Sequence, residues 1–163
     1  MDDFGQFYGA RKDAVFRAVL VAVGDRAAAE DAVAEAFARA YARWPRVRQH
    51  PNPTAWVLRT ALNVQRSWWR RARREVAGDT PDRASPDPPP DPSAGLPASL
   101  RAMVAALPRR QREVVALRVL ADLSAEETGA LLGIASATVH VHLHRALGAL
   151  RERLGSGATR EVQ

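Results

Sequence analysis

Hydrophobic positions recur every three or four residues along most of this chain, a spacing that predicts amphipathic helices and an all-α fold. Phe4, Phe7, Tyr8, Val15, Val19 and Val23 lie on one side of a first helix, which Gly24 ends. Asp25 then serves as N-cap of a second. The apolar side of that helix carries Ala29, Val33, Phe37, Ala40, Tyr41 and Trp44, while Asp31 and Glu35 share a different face with Arg39 near them. Pro45 to Pro53 reads as a loop, in which Asn52 and Pro53 supply the N-cap and first-turn proline of a third helix. Val57, Ala61, Val64 and Trp68 are spaced for burial in it. Arg59, Asn63, Arg66, Arg70 and Arg73 or Arg74 follow a polar stripe, with Trp56 and Trp69 at its margins.

The back half reads as helix, tight turn, helix. Ser124 and Glu127 have the S-x-x-E spacing of a capping box, which starts a helix that ends at Leu132. Gly133, Ile134 and Ala135 form the turn, and Ser136 is the N-cap candidate for the next helix. There Val139, Leu143, Ala146, Leu147, Leu150 and Leu154 make one buried stripe. Ala137, Thr138, Val141, His144 and Arg145 point the other way, in the first turns, where a recognition helix meets base edges. Periodicity alone also fits a plain helical hairpin packed on something else; the turn spacing and basic flanks favour DNA.

With 163 residues, 47% of them hydrophobic, the chain can form one ordinary domain or two small ones. Its composition divides it. Residues 1–74 carry 14 basic and 7 acidic side chains, residues 75–99 carry 1 and 5, and residues 100–154 carry 8 and 5. From Gly78 to Pro97 there are too many prolines for a helix and too few apolar residues to pack, which predicts an extended, mobile linker. The expected division is a helical domain at 1–75, a disordered linker at 76–97, a helix-turn-helix domain at 98–154 and a tail at 155–163. The chain has no cysteine, so a disulfide framework or thiolate metal site is excluded. Its start lacks the basic lead of a signal peptide, and no apolar run approaches the roughly 18 residues of a membrane span, which points to the cytoplasm.

The net charge of +6 suggests a polyanionic partner. Lys12 is the only lysine. Arginine suits bidentate phosphate and guanine contacts, although a GC-rich genome gives the same bias and is the favoured explanation of it. The run RSWWRRARR fits two readings, a solvated helix end whose arginines suit the helix dipole, or a nucleic-acid surface. Arginines beside aromatics and an asparagine favour the second. Asp31 and Glu35 are likewise either a solvated pair or a docking surface for a basic partner. Neither looks catalytic, since no apolar pocket or nucleophile accompanies them.

The segments GDRAAAEDAVAEAFARAYARW, PTAWVLRTALNVQRSWWRRARR and LPRRQREVVALRVLADLSAEETGALLGIASATVHVHLHRA, in that order, resemble regions 2.2, 2.3 with 2.4, and 4 of bacterial RNA polymerase sigma factors. The resemblance is to the small, two-domain extracytoplasmic-function group of the sigma-70 family, and it spans almost everything but the linker and tail. It implies a factor that binds core RNA polymerase and directs initiation at specific promoters, without cofactor or catalysis of its own. By the same resemblance Asp31, Glu35 and Arg39 dock on the beta-prime clamp helices. The loop from Arg46 to Pro53, with Arg48, Trp56, Arg59, Asn63, Arg66 and Arg70, captures and melts the minus-ten element. Ala137, Thr138, His140, Val141, His144 and Arg145 read the minus-thirty-five element, with the beta flap as a further contact. The linker threads the polymerase channel that RNA later occupies, and regulation by an anti-sigma factor is an expectation from the family alone.

This chain departs from the family pattern in places. Where a G-T-V-K-S-R-like run is common it has Ala137, Thr138, Val139, His140, Val141 and His142. Two basic positions thus become histidine, mostly uncharged as a residue type at neutral pH, so a weaker phosphate grip and a changed upstream preference are expected. Ser67 stands where aspartate is common, and Thr128 and Gly129 replace an apolar residue and alanine. Two other functions compete. A response-regulator output domain shares the T-V-x-x-H run, but residues 1–74 lack the strand and helix alternation of a receiver. A metalloenzyme would use His140 and His144, four apart, yet no H-E-x-x-H arrangement accompanies them.

Overall fold

The computed structural model describes residues 3–76 and 97–160, which fall into two compact, helical units on either side of the intervening segment. The predicted linker at 76–97 lies outside the described residues except at its two ends.

In the first unit, α1 (Phe4–Val23) starts where the Asp3 carboxylate accepts the Gly5 amide at 3.1 Å, and it ends at Gly24. Gly24 has φ +80°, a left-handed conformation open to a residue without Cβ, and its amide closes on the Leu20 carbonyl at 2.8 Å. Asp25 caps α2 (Arg26–Ala42) by accepting the Ala28 amide at 2.8 Å. The segment expected to be loop from Pro45 instead holds a short helix, α3 (Trp44–Val47). Proline has no amide to extend the α2 ladder, but its fixed φ suits a first turn, so the chain starts again there and buries Trp44 and Val47. Asn52 then caps α4 (Pro53–Val76) through its side-chain oxygen, 3.0 Å from the Ala55 amide.

Helices α1, α2 and α4 pack on one another in a bundle. Val15, Val19, Ala29, Ala36, Val57 and Ala61 are sealed in its core, and so are Leu58 and Leu62, which the single predicted stripe omitted. Because α4 touches both α1 and α2, its buried positions from Val64 round to Leu62 span about 160° of the helix. Three residues of the predicted apolar sides are exposed, Tyr8 at 42% being the first. Tyr41, 67% exposed, sits on the bundle rim with its ring edge-on to Phe4 at 5.1 Å. Trp68, 38% exposed, lies where α4 has lost its buried neighbours, since residues 68–75 are all exposed.

The second unit opens with α5 (Ala98–Ala105) and α6 (Arg109–Val115), each preceded by a proline. Buried Glu113 accepts from Arg109 Nε at 3.2 Å and from an Arg110 guanidinium nitrogen at 2.9 Å, so the first turn of α6 supplies the cations its carboxylate needs. A π-helical turn, Ala116–Leu120, follows, marked by the Ala121 amide bonding to the Ala116 carbonyl at 3.1 Å. It leads to Asp122 at φ +54°. The predicted capping box is present in both halves at the start of α7 (Ala125–Leu132), with Glu127 N to Ser124 Oγ at 3.0 Å and Ser124 N to Glu127 Oε2 at 2.8 Å. After the turn, α8 (Ser136–Arg160) begins one residue earlier than expected. Ser136 is its first residue, not its cap, because the Ala135 carbonyl already accepts the Val139 amide at 3.1 Å. The helix also continues through Arg160, beyond the Leu154 at which the pattern placed its end. Leu154 itself is 52% exposed.

Gly129 shows how tightly α7 meets the turn. A Cβ there would lie 2.6 Å from the Ile134 carbonyl oxygen, so the backbone would have to move aside. Overpacking of this kind costs about 2 kcal/mol. Gly129→Val is therefore expected to speed amide hydrogen exchange in α7 and early α8 about 30-fold, whereas exchange at the wild-type rate would show that the turn has room to spare.

Candidate nucleic-acid interface

Helix α8 is divided lengthwise. Val139, Ala146 and Leu150 are buried against α6 and α7, with Leu143 and Leu147 half-buried beside them. Opposite them Ala137, Thr138, His140, Val141, His144 and Arg145 are all exposed. At about 100° per residue these six occupy an arc of about 160° in the first three turns. Val141, 46% exposed, puts a branched apolar side chain amid groups that donate or accept hydrogen bonds. His142 does not join them. It is half-buried, and its Nδ1 is shut away from solvent with no hydrogen-bond partner among the described residues. The two histidines that replace common basic residues thus occupy different environments.

The second basic surface lies on α4. Arg59, Asn63 and Arg70 are exposed, and Trp56 and Arg66 half-buried, all five within an arc of about 80°. Arg70 Nε reaches back to the Arg66 carbonyl at 3.4 Å, and the Thr60 hydroxyl to the Trp56 carbonyl at 2.9 Å. Arg46 and Arg48 are exposed too, Arg46 within α3 and Arg48 as its C-cap, so the turn that α3 imposes presents both cations to solvent. One feature escaped the predicted set. The Arg73 guanidinium lies 3.7 Å from the centre of the Trp69 ring, and Trp69 is 48% exposed. Adjacent tryptophans within an arginine run were the available signal.

The acidic face of α2 is only partly free. Asp31 is exposed and has no ion pair among the described residues, whereas Glu35 Oε1 accepts from Arg39 Nε at 2.7 Å. Both members of that pair are about half exposed, so water and salt screen it and a competing cation can displace the arginine. Among the described residues no three His, Asp or Glu side chains converge as a metal site, and no helix is long and apolar enough to cross a membrane.

Family comparisons match the two units separately. Residues 7–75 match the sigma-70 region 2 model, and residues 98–150 the sigma-70 region 4 model. The chain is 34% identical over 155 residues to the RNA polymerase sigma-E factor of Streptomyces coelicolor, covering 93% of this chain and 86% of that protein. It is 31% identical to the ECF RNA polymerase sigma factor BldN of the same organism, covering 96% of this chain and 62% of the relative. Among solved structures, the sigma factor RpoE from Bartonella quintana, in complex with the anti-sigma factor NepR, shares the fold. Its TM-score is 0.75 at 22% identity, over 95% of this chain and 98% of that one. CnrH, in complex with the cytosolic domain of CnrY, has a TM-score of 0.61 at 22% identity, over 94% and 88%. Two region models in the family's order, together with a relative 34% identical over most of both chains, place the chain in the sigma-70 family of RNA polymerase sigma factors, in its extracytoplasmic-function group, as a protein that directs the initiation of transcription.

Proposed function

We propose that the two units divide the work of promoter recognition, residues 1–75 acting on core polymerase and the minus-ten element and residues 98–154 on the minus-thirty-five element. The observation that carries this reading is the exposed first face of α8, six side chains set opposite a buried seam, on a unit separate from the arginine stripe of α4. In this reading Ala137, Thr138, His140, Val141, His144 and Arg145 meet upstream bases and phosphates. Arg46, Arg48, Trp56, Arg59, Asn63, Arg66 and Arg70 hold the strand opened near minus ten. Arginines neutralise phosphates, while the indole and amide engage unstacked bases.

Asp31, Glu35 and Arg39 face the polymerase. A basic partner finds Asp31 without an ion pair among the described residues and takes Glu35 from Arg39 at little cost, since an exposed pair of this kind is worth about 1 kcal/mol or less. The sigma factor supplies specificity and the polymerase the chemistry, in the cytoplasm. The solved sigma factor RpoE, which shares this fold, is held by an anti-sigma factor, which supports the same mode of control here. A stand-alone regulator is not favoured, because the first unit is a helical bundle that matches sigma-70 region 2.

Two measurements check the assignment. Reversing charge with Asp31→Arg and Glu35→Arg should weaken binding to core polymerase at least about tenfold, since like charges across an interface cost several kcal/mol, with duplex DNA binding unchanged. Binding to core polymerase at wild-type strength would move the docking surface elsewhere. His140→Lys should tighten duplex binding and steepen its logarithmic salt dependence by about one unit. His142→Lys, at a half-buried position, should not add a phosphate contact, and equal gains from both would contradict the separate environments assigned to them.

A further inference from the structure

The last turns of α4 run beyond the bundle, so Trp68 and Trp69 leave apolar surface in water that no core requires. The two rings are not equivalent. Trp68 continues the face of Val57, Ala61 and Val64, about 160° or more around the helix from Arg59, Arg66 and Arg70 and about 120° from Trp56 at the near edge of their stripe. Trp69 borders that stripe, with Arg66, Arg70 and Arg73 within about 100° of it. One indole face carries the Arg73 guanidinium at 3.7 Å, and even so nearly half of the residue remains open. A cation stacked on one face braces a ring without needing the other.

We infer that Trp69, braced by Arg73, is a stacking site for one unpaired DNA base, whose flanking phosphates lie on the arginine stripe. Bases inside a duplex have both faces covered by neighbours, whereas an unpaired base offers its face to an aromatic ring. Surrounding arginines supply the charge that single strands need, and base stacking is tolerant of sequence. The site adds a hold on the opened strand to the residues already assigned on α4, and in that sense it rests on the reading of α4 as the strand-holding surface. Trp68, on the far side, takes no part.

The test uses the full-length chain, a fluorescein-labelled single strand of about 12 nucleotides and mixed sequence, and the same sequence as duplex, with affinities read by anisotropy at low salt. Trp69→Leu should bind the single strand about tenfold more weakly and the duplex within about twofold of wild type, in line with the worth of one stacked base. Trp69→Phe should retain most of the affinity, and Trp68→Leu should match wild type on both probes. Unchanged single-strand affinity in Trp69→Leu, equal losses on both probes, or an equal loss in Trp68→Leu would each overturn the site. Circular dichroism of each variant verifies that α4 is intact. Single-strand affinity of Arg59→Ala, measured alongside, reports on the reading of α4 as the strand-holding surface separately, so either can fail alone.

Discussion

The seam of Val139, Ala146 and Leu150 against α6 and α7 is the contact on which the upstream-reading surface depends. Val139 and Leu150, once buried, each contribute about 1.5–3 kcal/mol and Ala146 less, and together they fix the rotation of α8 about its own axis. A helix has no other means of choosing which side meets solvent. Once Val139 is inward, Ala137, Thr138, Val141, His144 and Arg145 are outward by geometry alone. The turn sets the remaining degree of freedom. Gly129, with no room for a Cβ beside the Ile134 carbonyl, lets the turn close directly on α7, and Gly133 reverses the chain in a left-handed conformation at φ +71°.

The same logic, used incompletely, governs α4. Its first half is wedged among α1 and α2 and buries two flanks, while its last turns have no bundle beside them. A helix held at one end and free at the other presents the arginines of its free end without the packing a core would demand. Arg70, Arg71, Arg73 and Arg74 sit near the carbonyl end, where cations are also favoured by the helix dipole. Helical stability and affinity for a polyanion therefore ask for the same residues, and neither explains the tryptophans among them. Tryptophan offers little to a solvated helix end and much to a nucleic-acid base.

Much of this architecture was legible in the chain. Caps were the clearest signals because they are local: Asp25, Asn52, the Ser124 and Glu127 box, and the left-handed Gly24 and Gly133 each satisfy or reverse backbone within a few residues. All six upstream candidates are exposed, as a 3.6-residue period requires once the buried stripe is known. The errors lie where periodicity ends and tertiary context begins. Tyr8, Tyr41, Trp68 and Leu154 lie on apolar stripes yet are exposed, Tyr8 and Tyr41 at the rim of the aromatic cluster around Phe4 and Trp68 on the uncovered last turns of α4. Leu58 and Leu62 are buried because two helices flank α4, a fact no single helix encodes. The short helix α3 and the π-helical turn at Ala116–Leu120 are too brief to leave a period. His142 looks like His140 in the sequence, and only the packing around α8 separates them.

If recognition is split between the two units, promoters must carry two elements, and neither should suffice without core polymerase. Mapping transcript starts from purified chain and core RNA polymerase on fragmented genomic DNA tests this most directly. The account predicts start sites that share a pair of upstream motifs at a near-constant separation, absent when the chain is omitted. Tight binding of the chain alone to a single duplex motif, with no new start sites on adding polymerase, would contradict it.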